Sequence, residues 1–191
     1  MKKVVVFLAE GFEEIEALTV VDLLRRANVI CDTCSLKEKQ VKGAHDIIIE
    51  ADKIIDELDI MEYDGIILPG GMPGSTNLKE CEKIVTWVKE FNEKRKLIAA
   101  ICAAPIVLGE ADIIKGRKVT SYPGFEGELK EAIYCEEIVV EDNNIITSRG
   151  PATAIYFALK LIERLVDKDT SNMLKEGIML EFVEENILSK E

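Results

Sequence analysis

A cysteine, Cys102, ends the apolar run of Leu97–Pro105, "LIAAICAAP", and small residues and a proline follow it at once. Small residues followed by proline open helices well, so "CAAPIVLGEADI" predicts a tight turn from a strand into a helix with the thiol on the bend. A bend of that kind resembles a nucleophile elbow, which holds a reactive side chain above a sheet. There the sulfur would feel the positive end of a helix and meet unpaired backbone N–H groups, and both favour thiolate over thiol. The plain alternative is a buried structural cysteine, the ordinary fate of a Cys after an apolar run.

Whether the thiol is more than structural depends on what the fold brings to it. Short β-branched runs recur at 2–9, 29–36, 45–51, 63–70, 96–102 and 117–122, and 136–148 reads as two strands turning through Asn143 and Asn144. Several runs are apolar without alternation, as strands covered on both faces require. Between them lie helical patterns. Ile15, Leu18, Val21 and Leu24 share one spacing, Ile84, Trp87, Val88 and Phe91 a second, and Ile155, Ala158, Leu159, Ile162 and Leu165 a third, opened by Gly150 and Pro151. Residues 167–191 read as a further helix with an acidic tail that covers an edge of the fold. Alternating strands and helices predict a three-layer α/β sandwich with a mostly parallel, flavodoxin-like sheet, in one domain spanning 1–191.

In such sheets ligands gather at the carboxyl ends of strands. The first strand is followed there by the acidic stretch Glu10–Glu16, the "GIIL" strand by the glycine loop Pro69–Gly74, "IAAI" by Cys102, and "NIIT" by Ser148 and Arg149. An acid, a glycine-rich loop, a thiol and a guanidinium are thus predicted to meet at one rim. Each has a plainer reading: a solvated carboxylate, a simple turn, a loop tie. The loop "PGGMPG" lacks the Gly-Lys-Ser/Thr ending of a phosphate-binding loop.

Composition narrows the partners. The 191 residues are 48% hydrophobic and 31% charged, an ordinary globular balance. With 24 basic against 36 acidic residues the formal charge is −12, which repels phosphate backbones and anionic lipid, so neither nucleic acid nor a membrane is expected as partner. The opening "MKKVVVFLAEGFEE" has too short an apolar core for a secretory signal, and a cytoplasmic location with five reduced cysteines is expected.

Together "LIAAICAAP", "ILPGGMPGSTNL", "AEGFEEIEALTVVDLLRRA" and "ITSRGPAT" resemble the ThiJ/PfpI superfamily, in the branch of the Parkinson-disease protein and its bacterial relatives. The resemblance is collinear over nearly the whole chain. It implies that Cys102 is the reactive cysteine, that Glu16 is the acid beside its sulfur, and that the backbone N–H groups of Gly71 and Ala103 form an oxyanion site, with Gly70, Tyr122, Ser148 and Arg149 around the pocket. A carboxyl near a thiolate is pushed toward its protonated form and can then donate a hydrogen bond to sulfur. The resemblance also implies a homodimer and no cofactor or metal.

The sequence departs from the superfamily's peptidase-like members, in which a histidine follows the cysteine; here that position is Ala103. The sole histidine, His45, falls at the edge of a predicted strand, where a surface role is expected. Some relatives carry a histidine where this chain has Tyr122, and a phenol near pKa ~10 is a weak base at neutrality. Proteolysis is therefore not expected. Cys31 and Cys34 form a C-x-x-C, but within a strand residues three apart face opposite sides, so neither a disulfide nor a shared metal is expected. Cys81 and Cys135 have no evident partners. The resemblance, with a reactive thiol beside an acid, implies one of two functions: a cofactor-free glyoxalase or deglycase acting through Cys102 and Glu16 on small aldehydes such as methylglyoxal or early glycation adducts, or an oxidative-stress sensor or redox chaperone in which Cys102 is oxidised to sulfinate.

Overall fold

The computed structural model describes residues 1–188. In chain order the elements are β1 (Lys3–Leu8), α1 (Glu14–Arg26), β2 (Ile30–Ser35), β3 (Gln40–Lys42), β4 (Ile48–Glu50), β5 (Lys53–Ile54), β6 (Gly65–Leu68), α2 (Gly74–Lys79), α3 (Glu82–Glu93), β7 (Leu97–Ile101), α4 (Pro105–Glu110), β8 (Lys118–Val119), β9 (Ile133–Tyr134), β10 (Val139–Asp142), β11 (Ile145–Ser148), α5 (Ala154–Leu165), α6 (Lys168–Gly177) and α7 (Leu180–Leu188).

The main sheet runs β10-β11-β7-β6-β1-β2-β5, parallel except for the β10–β11 hairpin. Its strands alternate between two cores, as the period of two dictates. Val4, Val6, Leu8, Ala99 and Ile101 pack under α1 and α5, whereas Val5, Phe7, Ile98 and Ala100 pack under α3 and α4. This is the α/β sandwich expected from the sequence. On the second face Phe7 stacks on Trp87 with centroids 5.8 Å apart, and Ile84, Val88 and Phe91 of the same α3 stripe are fully buried. Each such side chain contributes roughly 1.5–3 kcal/mol by leaving water.

The register sets the functional rim. Ser148 pairs with Ile101, and Leu68 with Ala100, so β6, β7 and β11 end level with one another. The chain leaves β1 toward β2 on one side and returns to β6 on the other, which makes the β1–β6 boundary the place where connections diverge and a crevice opens.

Four expectations are corrected. The run at 45–51 yields only β4, which pairs with β3 in a separate hairpin; Ile48 is 60% exposed, so this strand lacks the cover of a central one. The run at 117–122 contributes only β8, paired with β9, because from Thr120 the chain turns across the sheet's end, where the Thr120 N–H donates to Thr147 Oγ1. Helix α1 buries Val21 and Leu24 of the expected stripe together with Glu14, Glu16, Ala17, Val20 and Leu23, leaving Ile15 56% exposed: the buried face includes acids, which an apolar pattern cannot register. The C-terminal stretch is two helices, with Asp167 capping α6 by accepting from the Thr170 N–H at 2.7 Å. Leu174, Ile178 and Leu180 pack on the core beneath α1 and α5, and the end of the predicted acidic tail, 189–191, lies outside the described residues.

Candidate active site

Cys102 sits directly after β7 and three residues before α4, with φ +64°. That left-handed conformation costs a side-chain-bearing residue about 1–2 kcal/mol. Two hydrogen bonds hold it: the Cys102 N–H donates to the Ser148 carbonyl at 3.0 Å, and the Cys102 carbonyl accepts from the Tyr122 N–H at 2.8 Å. The bend turns the thiol out of the sheet, and Cys102 is half-buried rather than sealed in the core.

Glu16 reaches the same point from the first turn of α1 and is wholly buried. Its Oε2 accepts from the Gly70 N–H at 2.8 Å, Oε1 is buried without a hydrogen-bond partner, and the carboxyl lies close enough to the Cys102 thiol for each to shift the other's proton affinity. Gly70 permits this approach: a Cβ there would lie 2.5 Å from both Cys102 Cβ and Glu16 Oε2. The sulfur also receives the backbone N–H groups of Ala103 and Gly71. The acid, the loop and the thiol expected at one rim are thus in contact.

The charge on this pair follows from its burial. Desolvation, reinforced by the nearby Glu13 charge, raises the Glu16 carboxyl to about 7. Burial and then the Glu16 charge push the Cys102 thiol up to about 12, against the pull of the two N–H groups. The expectation of a sulfur simply held ionised is therefore corrected. Carboxyl and sulfur give up one proton near 7 and keep the other until strongly alkaline pH, so around neutrality the pair passes from two protons to one shared proton and one negative charge. The Gly70 N–H favours placing the charge on carboxylate; the Gly71 and Ala103 N–H groups favour placing it on sulfur. A site of this kind can pass a proton between oxygen and sulfur as a bond forms to carbon.

The remaining pocket candidates separate. Tyr122 is 47% exposed and its ring lies against Gly150, where an added Cβ would be 3.1 Å away. Ser148 is buried, with its Oγ donating to the Ile138 carbonyl at 2.7 Å and bonded to Thr153 Oγ1 at 2.7 Å; its hydroxyl ties loops together beside the site, the plainer of its two expected readings. Arg149 is half-buried beside the segment after Tyr122, where its charge helps hold Glu126 ionised, and its Nη1 is buried without a partner. Sequence reasoning missed Glu13, whose N–H donates to the Gly70 carbonyl at 2.9 Å. A main-chain role leaves no trace in residue type.

Other reactive groups are accounted for. Cys31 and Cys34 lie on opposite faces of the sheet, as their spacing in a strand requires, and burial raises both thiols to about 12. His45 is exposed and ties the β3–β4 hairpin to α1, with Nδ1 2.9 Å from Glu14 Oε2 and 3.6 Å from Glu13 Oε2. Among the described residues Glu13, Glu14 and His45 form the one group able to offer three ligand atoms to a cation, although Glu14 and His45 already satisfy each other. A 940 Å³ groove lined by Arg26, Asp64 and Met173 and a 660 Å³ cleft over the ends of β1 and β2 do not contain Cys102. Reactivity, not concavity, marks the site.

Residues 2–164 match the model of the DJ-1/PfpI family. The chain is 36% identical over 183 residues to "Protein DJ-1alpha" of Drosophila melanogaster, spanning 93% of this chain and 84% of that protein. It is 31% identical over 191 residues to "Glutathione-independent glyoxalase DJ-1" of Schizosaccharomyces pombe, spanning 94% of this chain and all of the other. Its fold superposes on the solved structure "Toxoplasma gondii DJ-1, oxidized" with a TM-score of 0.90 at 36% identity, covering 94% of this chain and 98% of that one.

Proposed function

The chain belongs to the DJ-1/PfpI family, and from that premise we propose that it is a cysteine-dependent, cofactor-free glyoxalase or deglycase acting on small reactive aldehydes such as methylglyoxal. The observation that carries this reading is the sulfur that shares a proton with a buried carboxyl while two backbone N–H groups point at it. A relative bearing the glyoxalase name supports it.

In this mechanism Cys102 Sγ forms a bond to the aldehyde carbon of methylglyoxal, and the carbonyl π electrons move onto oxygen. The Gly71 and Ala103 N–H groups, released from the sulfur as its charge moves, stabilise that oxyanion. Protonation from Glu16 gives a hemithioacetal and leaves the carboxylate as a base. Glu16 then takes the C1 proton and returns it to C2 while the C1 hydroxyl proton passes to the C2 oxygen, converting the hemithioacetal into a thioester of lactate. Water cleaves the thioester, releasing lactic acid and restoring the sulfur–carboxyl pair with its one proton and one negative charge, so one methylglyoxal and one water become one lactic acid with no external oxidant or reductant. Tyr122 walls the pocket, and Arg149 supplies a positive charge near it for the carboxylate product. The proposal includes a cytoplasmic homodimer without nucleic-acid or membrane partners; no described helix is long and apolar enough to cross a membrane.

The test is steady-state lactate formation from methylglyoxal by the purified protein, lost in Cys102→Ala and Glu16→Gln. Aldehyde consumption that stops at one equivalent per chain overturns the catalytic reading. A second reading, oxidation of Cys102 to a sulfinate that alters a binding surface, is favoured by the half-exposed thiol and by the oxidised relative. Peroxide titration followed by intact mass decides it: two oxygens confined to Cys102 support a sensor, and oxidation spread over all five cysteines opposes one.

A further inference from the structure

The two N–H groups that meet the Cys102 sulfur belong to the peptide groups joining Gly70 to Gly71 and Cys102 to Ala103. Neither peptide lies in a helix or strand, and each adjoins a left-handed residue, Gly71 at φ +88° and Cys102 at φ +64°. No ladder therefore fixes the rotation of either plane. In a trans peptide the N–H and C=O point in opposite directions, so a bond to the oxygen orients the hydrogen. Both oxygens are bonded: the Gly70 carbonyl accepts from the Glu13 N–H at 2.9 Å, and the Cys102 carbonyl accepts from the Tyr122 N–H at 2.8 Å. The same arrangement thus occurs twice, from two unrelated segments of the chain.

We propose that Glu13 and Tyr122 are positioning residues whose main-chain N–H groups clamp the carbonyl oxygens of the two donor peptides and so aim and polarise the N–H groups that serve the sulfur. Hydrogen bonds in a chain strengthen one another, so a bond at the oxygen makes the N–H on the far side of the peptide a better donor. The start of α1 thereby acts twice on the site, through the Glu16 carboxyl and through the Glu13 N–H. The segment carrying Tyr122 acts through its backbone, whatever its phenol does. This inference deepens the reading of Gly71 and Ala103 as oxyanion donors and rests on it.

An amide-to-ester replacement at the Ser121–Tyr122 bond, made by incorporating the α-hydroxy analogue of tyrosine, deletes the clamping N–H and keeps the side chain. Because the ester also weakens the Ser121 carbonyl, which accepts from Tyr134 Oη at 3.1 Å, Tyr134→Phe is the control. The readout is Cys102 alkylation by iodoacetamide across pH. Complete loss of an oxyanion donor costs 10²–10³-fold, so loss of one clamp should slow alkylation about tenfold at neutral pH and displace the profile upward by about one pH unit. Tyr134→Phe should keep the wild-type profile. An ester variant that superimposes on wild type, or a control that reproduces its shift, overturns the proposal.

Amide proton shifts of the wild-type protein give a second test that needs no variant. As the sulfur gains charge, the Gly71 and Ala103 amides should move downfield, and the Glu13 and Tyr122 amides should move with the same midpoint. Shifts in the first two with none in the second two overturn the clamp. Failure of the wild type to form lactate would defeat the glyoxalase reading, but it would leave both of these tests decisive.

Discussion

Replacing Glu16 by glutamine keeps the shape of the side chain and removes its titration, which makes the buried carboxyl measurable through stability. Its folded-state pKa, about 7, lies above the ordinary 4.5. The folded protein therefore binds more protons than the unfolded chain between these values. The sign follows directly: the stability linked to this group is fully present below about 4.5 and is lost as pH rises through about 7. Each tenfold change in proton affinity corresponds to about 1.4 kcal/mol, so the wild type should lose about 3 kcal/mol across that window. Glu16→Gln should lose none of it. Other carboxylates are common to both proteins and cancel in the difference. Urea denaturation at a series of pH values between 4 and 8 reads the gap, and in thermal scans a domain of this size should show it as roughly 6–12 °C. A wild-type-minus-variant difference that stays flat across this range, or a wild type that gains on the variant as pH rises, would refute the buried, proton-holding carboxyl.

Gly70→Ala places a methyl 2.5 Å from both Cys102 Cβ and Glu16 Oε2, so it should destabilise by about 1–3 kcal/mol and slow Cys102 alkylation at least about tenfold, checked by urea midpoints and intact mass. Ser148→Ala removes the bonds to the Ile138 carbonyl and to Thr153 Oγ1, which keeps its two bonds with Gly150, so about 1 kcal/mol should be lost from the urea midpoint, with a far smaller change in alkylation because the carbonyl of residue 148 still holds the Cys102 N–H. Asp52 accepts from the Thr33 N–H and hydroxyl and pairs with Arg25 at 2.7 Å; although burial opposes ionisation, these partners hold its carboxyl below 3.8. Asp52→Asn should therefore destabilise at neutral pH, and the gap from wild type should close as pH falls through the folded value, as measured by acid titration of far-ultraviolet circular dichroism.

Much of the sheet is legible in the sequence because burial on both faces leaves continuous apolar runs, as in Val4–Leu8 and Leu97–Ile101. The same cue misplaces 45–51, where an apolar "DIII" lies on a hairpin outside the main sheet. In α1 it finds the buried Val21 and Leu24 but wrongly includes Ile15 and misses the wholly buried Glu16, which counts as polar in any hydrophobic pattern. At the site the pairing of thiol and carboxyl follows from the family resemblance, while the role of Ser148 stays open in the sequence because a hydroxyl after a strand looks the same whether it faces a ligand or a carbonyl. The Glu13 and Tyr122 contacts are illegible in principle. They are made by backbone atoms that every residue but proline possesses, and only the fold specifies which of them meet.

The claim on which the rest depends is that the Cys102 sulfur and the Glu16 carboxyl titrate as one coupled pair, losing a first proton near neutral pH and holding the second far above it. Thiolate absorbance of the wild type minus that of Cys102→Ser, recorded from pH 4 upward, tests it most directly. A shared proton gives a first step near 7 that disappears in Glu16→Gln, and a second that is delayed to about 12. A single ionisation at the ordinary thiol value of about 8.5, the same with and without the Glu16 carboxyl, would contradict it.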